Sequence, residues 1–106
     1  MTFQVEISEK ADNDLRNIFL CIAIDLFSPE VAEKQIHRLW KEMLSLNKFP
    51  ERYRLYEDEP WHSRGMRTLP VDNYVILYIP DSEERIVRIV RILYSGRDIG
   101  EQLADL

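Results

Sequence analysis

Residues 63–98 read SRGMRTLPVDNYVILYIPDSEERIVRIVRILYSGRD, and the reading of this stretch decides the fold. Residues 66–71, 73–79 and 85–94 are rich in β-branched and aromatic side chains, the composition of strands. Asp72-Asn73 and Pro80-Asp81-Ser82 punctuate them as turns. Within the second run, Tyr74-Val75-Ile76-Leu77-Tyr78-Ile79 shows no polar alternation, as expected of a central strand covered on both faces. In the third run Ile86, Val87, Ile89, Val90 and Ile92 are all β-branched and favour a strand over a helix. Strand alternation then predicts Arg88 on one face and Arg85 and Arg91 on the other. Gly96 ends the run, and residues 98–106 hold at most one short helix. The stretch carries six arginines and no lysine. A sheet that spaces guanidinium groups in this way predicts an anionic partner, because arginine makes planar, two-pronged contact with phosphate or carboxylate.

The preceding residues supply the other layer. Phe3, Val5 and Ile7 alternate with Gln4 and Glu6, the period of a half-buried strand. Ser8 fits a helix N-cap, and Ala11, Leu15, Ile18, Phe19, Ile22 and Leu26 follow at helical spacing. Asp12 and Asp14 stand near that helix start, where the dipole favours negative charge. Ser28-Pro29-Glu30 opens a second helix. Its stripe runs Ala32, Ile36, Leu39, Met43 and Leu46, widened by Trp40 and Leu44, and it stops at Phe49-Pro50. The two or three residues between the helices predict an antiparallel hairpin. Residues 50–65 lack a clean period and contain two prolines, so they read as a long loop. The expected order is β-α-α-β-β-β, an α+β fold with a helix hairpin on one face of a small, mainly antiparallel sheet. Ile18, Ile22, Ile36, Leu39, Ile76 and Ile89 are expected in one core.

Length and composition bound the function. The 106 residues make one domain, residues 1–106, and the hydrophobic share of 45% and charged share of 31% are those of a soluble globular protein. No apolar run approaches the roughly 18 residues of a membrane span, so no membrane partner is expected. The first residues alternate and carry acids, unlike a signal peptide, which makes the cytoplasm the expected setting. A single cysteine, Cys21, excludes an internal disulfide and a cysteine-based zinc site. The net charge of −5 argues against a generic nucleic-acid binder. That average is uneven: residues 1–63 carry 8 basic and 12 acidic side chains, whereas residues 64–97 carry 6 arginines against 4 acids.

Several pieces in order carry a resemblance. They are Ser8-x-x-Ala11-x-x-Asp14-Leu15, Leu46…Phe49-Pro50-Glu51-Arg52, Met66-Arg67-x-Leu69, Asn73-Tyr74-x-Ile76-x-Tyr78 and Ile89-x-Arg91-Ile92-Leu93…Gly96-Arg97-Asp98. Taken together they resemble the RelE/ParE superfamily of toxins from bacterial type II toxin–antitoxin modules, over nearly the whole chain. The resemblance implies growth arrest, no cofactor or metal, and a cognate antitoxin that wraps the toxin in a hetero-oligomer. It implies one of two targets. RelE-like members cleave mRNA on the ribosome, and ParE-like members inhibit DNA gyrase. RNA cleavage through the 2′-OH needs a base, cations for the phosphorane and an acid for the leaving oxygen. The resemblance puts Arg67 at the phosphate-holding position of the nuclease members. It puts Tyr94 and Arg97 near the end of the last strand, where those members carry a His, Tyr or Arg. Tyr94 replaces the histidine of many relatives, and residues 50–65 lack the clustered lysines of the nuclease branch. The Gly96-Arg97-Asp98 ending and the acidic balance lean toward ParE.

Plainer roles stand beside these. Arg67 pairs with an acid of its own surface in the plain reading, Tyr94 is packing, and Arg91 and Arg97 meet Asp98 or the antitoxin's acids. His62 has no base or ligand at a recognisable spacing. Glu57-Asp58-Glu59 reads as a solvated loop and Cys21 as packing. Three functions therefore remain open: a gyrase inhibitor, a ribosome-dependent endoribonuclease, and a non-toxic binding member of the fold.

Overall fold

The structure is a computed structural model that describes residues 2–96 and 98–104. Its elements are β1 (Gln4–Ile7), α1 (Glu9–Leu20), a π-helical turn (Cys21–Asp25), α2 (Pro29–Leu44), two 3₁₀ turns (Ser45–Asn47 and Pro50–Arg52), β2 (Arg67–Val71), β3 (Tyr74–Asp81), β4 (Ile86–Tyr94) and α3 (Ile99–Leu103). The fold is thus the expected α+β class, with helices packed on a four-stranded sheet.

The strands lie in the order β1-β4-β3-β2. β2–β3 and β3–β4 are antiparallel, and β1 joins β4 in parallel, so the sheet is mixed at one edge. β3 is central and covered on both sides. Ile76 and Tyr78 face the main core with Leu39, Met43, Leu46, Leu69, Val87 and Ile89. Val75 and Leu77 face a smaller core with Met66, Leu93 and Leu103, which α3 closes. Of the residues expected in one core, Leu39, Ile76 and Ile89 are fully buried there, and Ile18 and Ile36 pack half-buried against it. Ile22 is buried in the π-helical turn instead.

Three local differences have physical causes. The β3–β4 turn does not begin at Pro80: the Asp81 carboxylate accepts from the Glu83 and Glu84 N–H groups, which places the turn after Asp81. Arg85 belongs to that turn at φ 57°, not to the strand. A bulge at Leu77/Tyr78 absorbs one residue of β4, so Arg88 lies opposite Ile79 and Arg91 opposite Leu77. Because Ile79 and Leu77 share one face of β3, Arg88 and Arg91 do not alternate as the unbroken strand period predicted.

β1 accompanies β4 only as far as Ile89. Beyond it the open edge of β4 is satisfied by the start of α1. Ser8 caps the helix by accepting from the Ala11 N–H at 3.0 Å, and its hydroxyl donates to the Val90 carbonyl at 2.8 Å. Six residues on, Asp14 accepts the Ile92 N–H at 3.0 Å. A bare strand edge is thereby covered without a fifth strand.

Candidate functional site

The arginines of the sheet fall into two electrostatic classes. Arg91 is consumed internally: its guanidinium makes a two-pronged pair with Asp14 at 2.8 and 2.9 Å, and it reaches the Gln102 carbonyl of α3 at 3.4 Å. The pair is largely shielded, with side chains 15% and 12% exposed. Arg88 is held by Asp81 and Glu84 at 3.3 and 2.9 Å, and Arg64 lies 5.0 Å over the Trp61 ring. These groups answer to their own acids and aromatics, so the expectation of a whole sheet aimed at an anion does not hold for them.

Arg67 differs. It opens β2 opposite Tyr78, and its Nη1 donates to the carbonyls of Glu51 at 3.0 Å and Tyr53 at 2.7 Å. Its Nε is buried and, among the described residues, has no hydrogen-bond partner. Beneath it Tyr78 is fully buried and donates to the Pro50 carbonyl at 2.6 Å. Burial pushes the Tyr78 phenol up to about 12, against the opposing pull of Arg67 and Arg52. Arg52 repeats the pattern on the surface. Its Nη1 donates to the Lys48 and Phe49 carbonyls at 2.5 and 3.1 Å, its Nη2 to the Ser45 hydroxyl at 3.0 Å, and its plane lies 4.7 Å over the Tyr53 ring. Among the described residues neither Arg52 nor Arg67 forms an ion pair. Carbonyl dipoles fix both guanidiniums without cancelling their charge, which leaves them available to an external anion. Phe49, 81% exposed, stands in the same turn. In the sequence Arg52 stands out only as part of a motif, and Phe49 as that and as a helix stop. Their partnership with Arg67 depends on a turn that folds back over β2, and no local period signals it.

Tyr94 occupies the other end of the sheet. It pairs with Tyr74 at the start of β3, whereas Arg67 pairs with Tyr78. Those positions are four residue steps apart, about 13 Å along β3. Tyr94 is half-exposed and packs edge-on against Tyr74, ring centroids 5.9 Å apart. Its ring lies so close to Gly96 that a Cβ there would stand 2.4 Å from it. The Tyr74 phenol is raised, first by burial and then by the neighbouring Cys21 and Tyr94. Arg97 lies outside the described residues. The three sequence candidates are therefore not gathered into one constellation by the residues described, since Arg67 and Tyr94 stand apart.

The remaining polar candidates have local partners. His62 Nδ1 lies 2.8 Å from the Tyr56 carbonyl. Glu59 accepts from the Ser63 N–H and hydroxyl, which lower its carboxyl below the usual range. Glu57 pairs with Arg54 at 2.8 Å. A cleft of about 440 Å³ separates this loop from α3, lined by Tyr56, Asp58, Glu59 and Trp61 among others. Cys21 is exposed rather than packed. Among the described residues no group of three or more His, Cys, Asp and Glu side chains is arranged to hold a metal ion. No helix among them is long and apolar enough to cross a membrane.

Residues 5–99 match the model of a family described as the ParE toxin of the type II toxin–antitoxin system parDE. The chain belongs to the ParE toxin family. Solved structures share its fold. A chain of the chromosomal ParDE system of P. aeruginosa superposes with a TM-score of 0.71 at 21% identity, covering 88% of this chain and 96% of that one. The RelBE2 toxin–antitoxin complex of Mycobacterium tuberculosis gives 0.62 at 20%, covering 89% and 99%. A double arginine-to-alanine mutant of E. coli RelE in the free state gives 0.67 at 11%, covering 99% and 93%. No individually curated protein matches the sequence. The protein is a toxin of the type II toxin–antitoxin class.

Proposed function

We propose that this toxin arrests growth by ParE-like inhibition of DNA gyrase, without catalysis, in the cytoplasm. The observation that carries the reading is the separation of Arg67 from Tyr94. One-site RNA cleavage needs a phosphate-holding cation and a proton-transfer group on the same few ångströms of substrate. Here Tyr94 stands level with the first residue of β3 and Arg67 level with its fifth, about 13 Å apart along the strand. The test is expression without antitoxin, with two readouts from the same culture: gyrase-linked DNA breaks, and mRNA cleavage in a translating extract. Breaks without cleavage support the reading. Cleavage that is lost together with arrest in Tyr94→Phe overturns it.

A second reading, ribosome-dependent mRNA cleavage, draws on the turn formed by Phe49, Arg52 and Arg67. An exposed aromatic ring beside two uncompensated guanidiniums suits a nucleotide, which offers a base to stack and a phosphate to hold.

In either case the antitoxin is proposed to carry an acidic, apolar-studded segment, and Arg52 and Arg67 are its natural counter-charges. Co-expression should yield a stable hetero-oligomer. Failure of the adjacent gene's product to bind at micromolar concentration would refute that partner.

A further inference from the structure

Leu20, Ile24, Leu26, Phe27 and Val31 cluster where α1 gives way to α2, and each is at least half exposed. Together they uncover on the order of 500 Å² of apolar surface, near the upper end for a monomer. Phe27 is the most exposed of the five at 89%, and it shares with Phe49 the combination of an exposed ring and a left-handed backbone. The π-helical turn closes with the Phe27 N–H on the Ile24 carbonyl at 3.3 Å and the Ser28 N–H on the Ile22 carbonyl at 3.2 Å. That closure holds Phe27 at φ 52°, the left-handed position that helix ends ordinarily give to glycine. A β-carbon is strained there, and an aromatic ring repays the strain only if it packs. This ring projects into solvent. The fold would be served better by glycine, so the side chain answers to something outside the chain.

The rim indicates what. Between Arg16 and Lys34 there is no basic residue, while Asp25, Glu30 and Glu33 are present and exposed. Two copies meeting tip to tip would face acid with acid, and an acidic antitoxin segment would be repelled for the same reason. We propose that the hairpin tip is a docking knob for the toxin's protein target, with Phe27 as anchor in an apolar pocket rimmed by lysine and arginine. The inference rests on the reading of this chain as an inhibitor of a protein target. It concerns a surface remote in sequence from Arg52 and Arg67.

The experiment uses purified toxin, the DNA gyrase heterotetramer as probe, and the cognate antitoxin as control. Phe27→Gly is expected to raise the Tm of the free toxin by several degrees and to weaken inhibition of supercoiling at least tenfold. It should leave antitoxin affinity within about twofold. Phe27→Trp should retain inhibition. The pair Asp25→Lys with Glu30→Lys, which leaves the ring in place, should weaken inhibition most at low salt. Full inhibition by Phe27→Gly overturns the inference, as does a fall in its Tm. A parallel loss of antitoxin binding assigns the tip to the antitoxin. Concentration-dependent self-association of wild type that disappears in Phe27→Gly assigns it to a second copy. Either result overturns the proposal. A wild type that leaves gyrase untouched brings down the gyrase reading itself, a result distinct from a potent wild type matched by Phe27→Gly.

Discussion

Arg91 and Arg67 are both shielded arginines of one sheet, and their surroundings assign them opposite tasks. Arg91 meets a carboxylate through both prongs, and that carboxylate also takes the Ile92 N–H from the uncovered edge of β4. Charge and hydrogen bonds close within the fold. Among the described residues Arg67 donates to carbonyls and to no carboxylate. Its position is fixed while its charge stays unanswered. Arginine content in a strand therefore says little about anion binding until the acids are located. The informative quantity is the guanidinium left ordered and unpaired.

The largest test of this contrast is Asp14→Ala. Breaking a well-shielded pair strands Arg91 without a counter-charge and orphans the Ile92 N–H, which costs about 3 kcal/mol. In a domain of this size that lowers Tm by more than 10 °C. Thermal unfolding by circular dichroism measures it. A loss below 1 kcal/mol would mean that the pair merely decorates the edge and that Ser8 alone closes it.

Tyr78→Phe comes next, at about 1–3 kcal/mol, because it leaves the buried Pro50 carbonyl without its donor. It also carries a pH signature. Burial pushes the folded phenol up to about 12, above the ordinary tyrosine value of about 10. The raised value means that its contribution is complete below the unfolded value and is lost as pH rises through the folded one. Wild type should therefore lose stability between pH 10 and 12. Tyr78→Phe should flatten that limb relative to its own stability at pH 7. An alkaline limb of unchanged slope would count against the buried phenol as its source.

Much of this architecture is legible in the sequence, for reasons tied to period. The stripes of α1 and α2, the Ser8 cap, Pro29 at a helix start and the unbroken apolar run of β3 are local signals. The parallel seating of β1 on β4 was not legible, since strand neighbours are set by the whole sheet. Nor was the bulge at Leu77/Tyr78, which re-aims Arg91. Asp14 reads from the sequence as a helix-start acid and as part of a family motif; its partnership with Arg91 spans 77 residues of sequence. The site divides in the same way. Arg67 was marked through a resemblance, but its company of Arg52, Phe49 and Tyr78 exists only because the turn at Pro50 folds back onto β2. Phe27 carries no signal in the sequence, because left-handed backbone at a non-glycine residue leaves no compositional trace.

Arg67 itself gives the third test. Arg67→Lys keeps the charge but loses the rigid guanidinium whose Nη1 donates to both the Glu51 and Tyr53 carbonyls, so a stability loss of about 1 kcal/mol is expected. Growth arrest should fall severalfold, scored by titrating the inducer. Arg67→Ala should cost more stability, so the lysine variant separates the two roles more cleanly. Full arrest by Arg67→Lys at unchanged stability would reduce this arginine to a plain cation.

The smallest effect belongs to a pair that looks, by geometry, as good as Arg91–Asp14. Arg38 donates to both carboxylate oxygens of Asp72 at 2.8 and 3.0 Å, with Gln35 adding a third bond at 3.1 Å. These donors hold the Asp72 carboxyl below the usual range, the Arg38 hydrogen bonds first and Gln35 second. A depressed folded value contributes stability above the unfolded value, and that contribution disappears as pH falls through the folded one. The acid limb from this source therefore lies below about pH 4. Yet the side chains are 63% and 35% exposed, and solvent screens what the geometry offers. Asp72→Asn should leave Tm at pH 7 within about 2 °C of wild type and should remove only a minor part of the loss below pH 4. If it instead rivals Asp14→Ala, burial is not what separates the two pairs. The contrast drawn between consumed and available arginines would then have to rest on hydrogen-bond geometry alone.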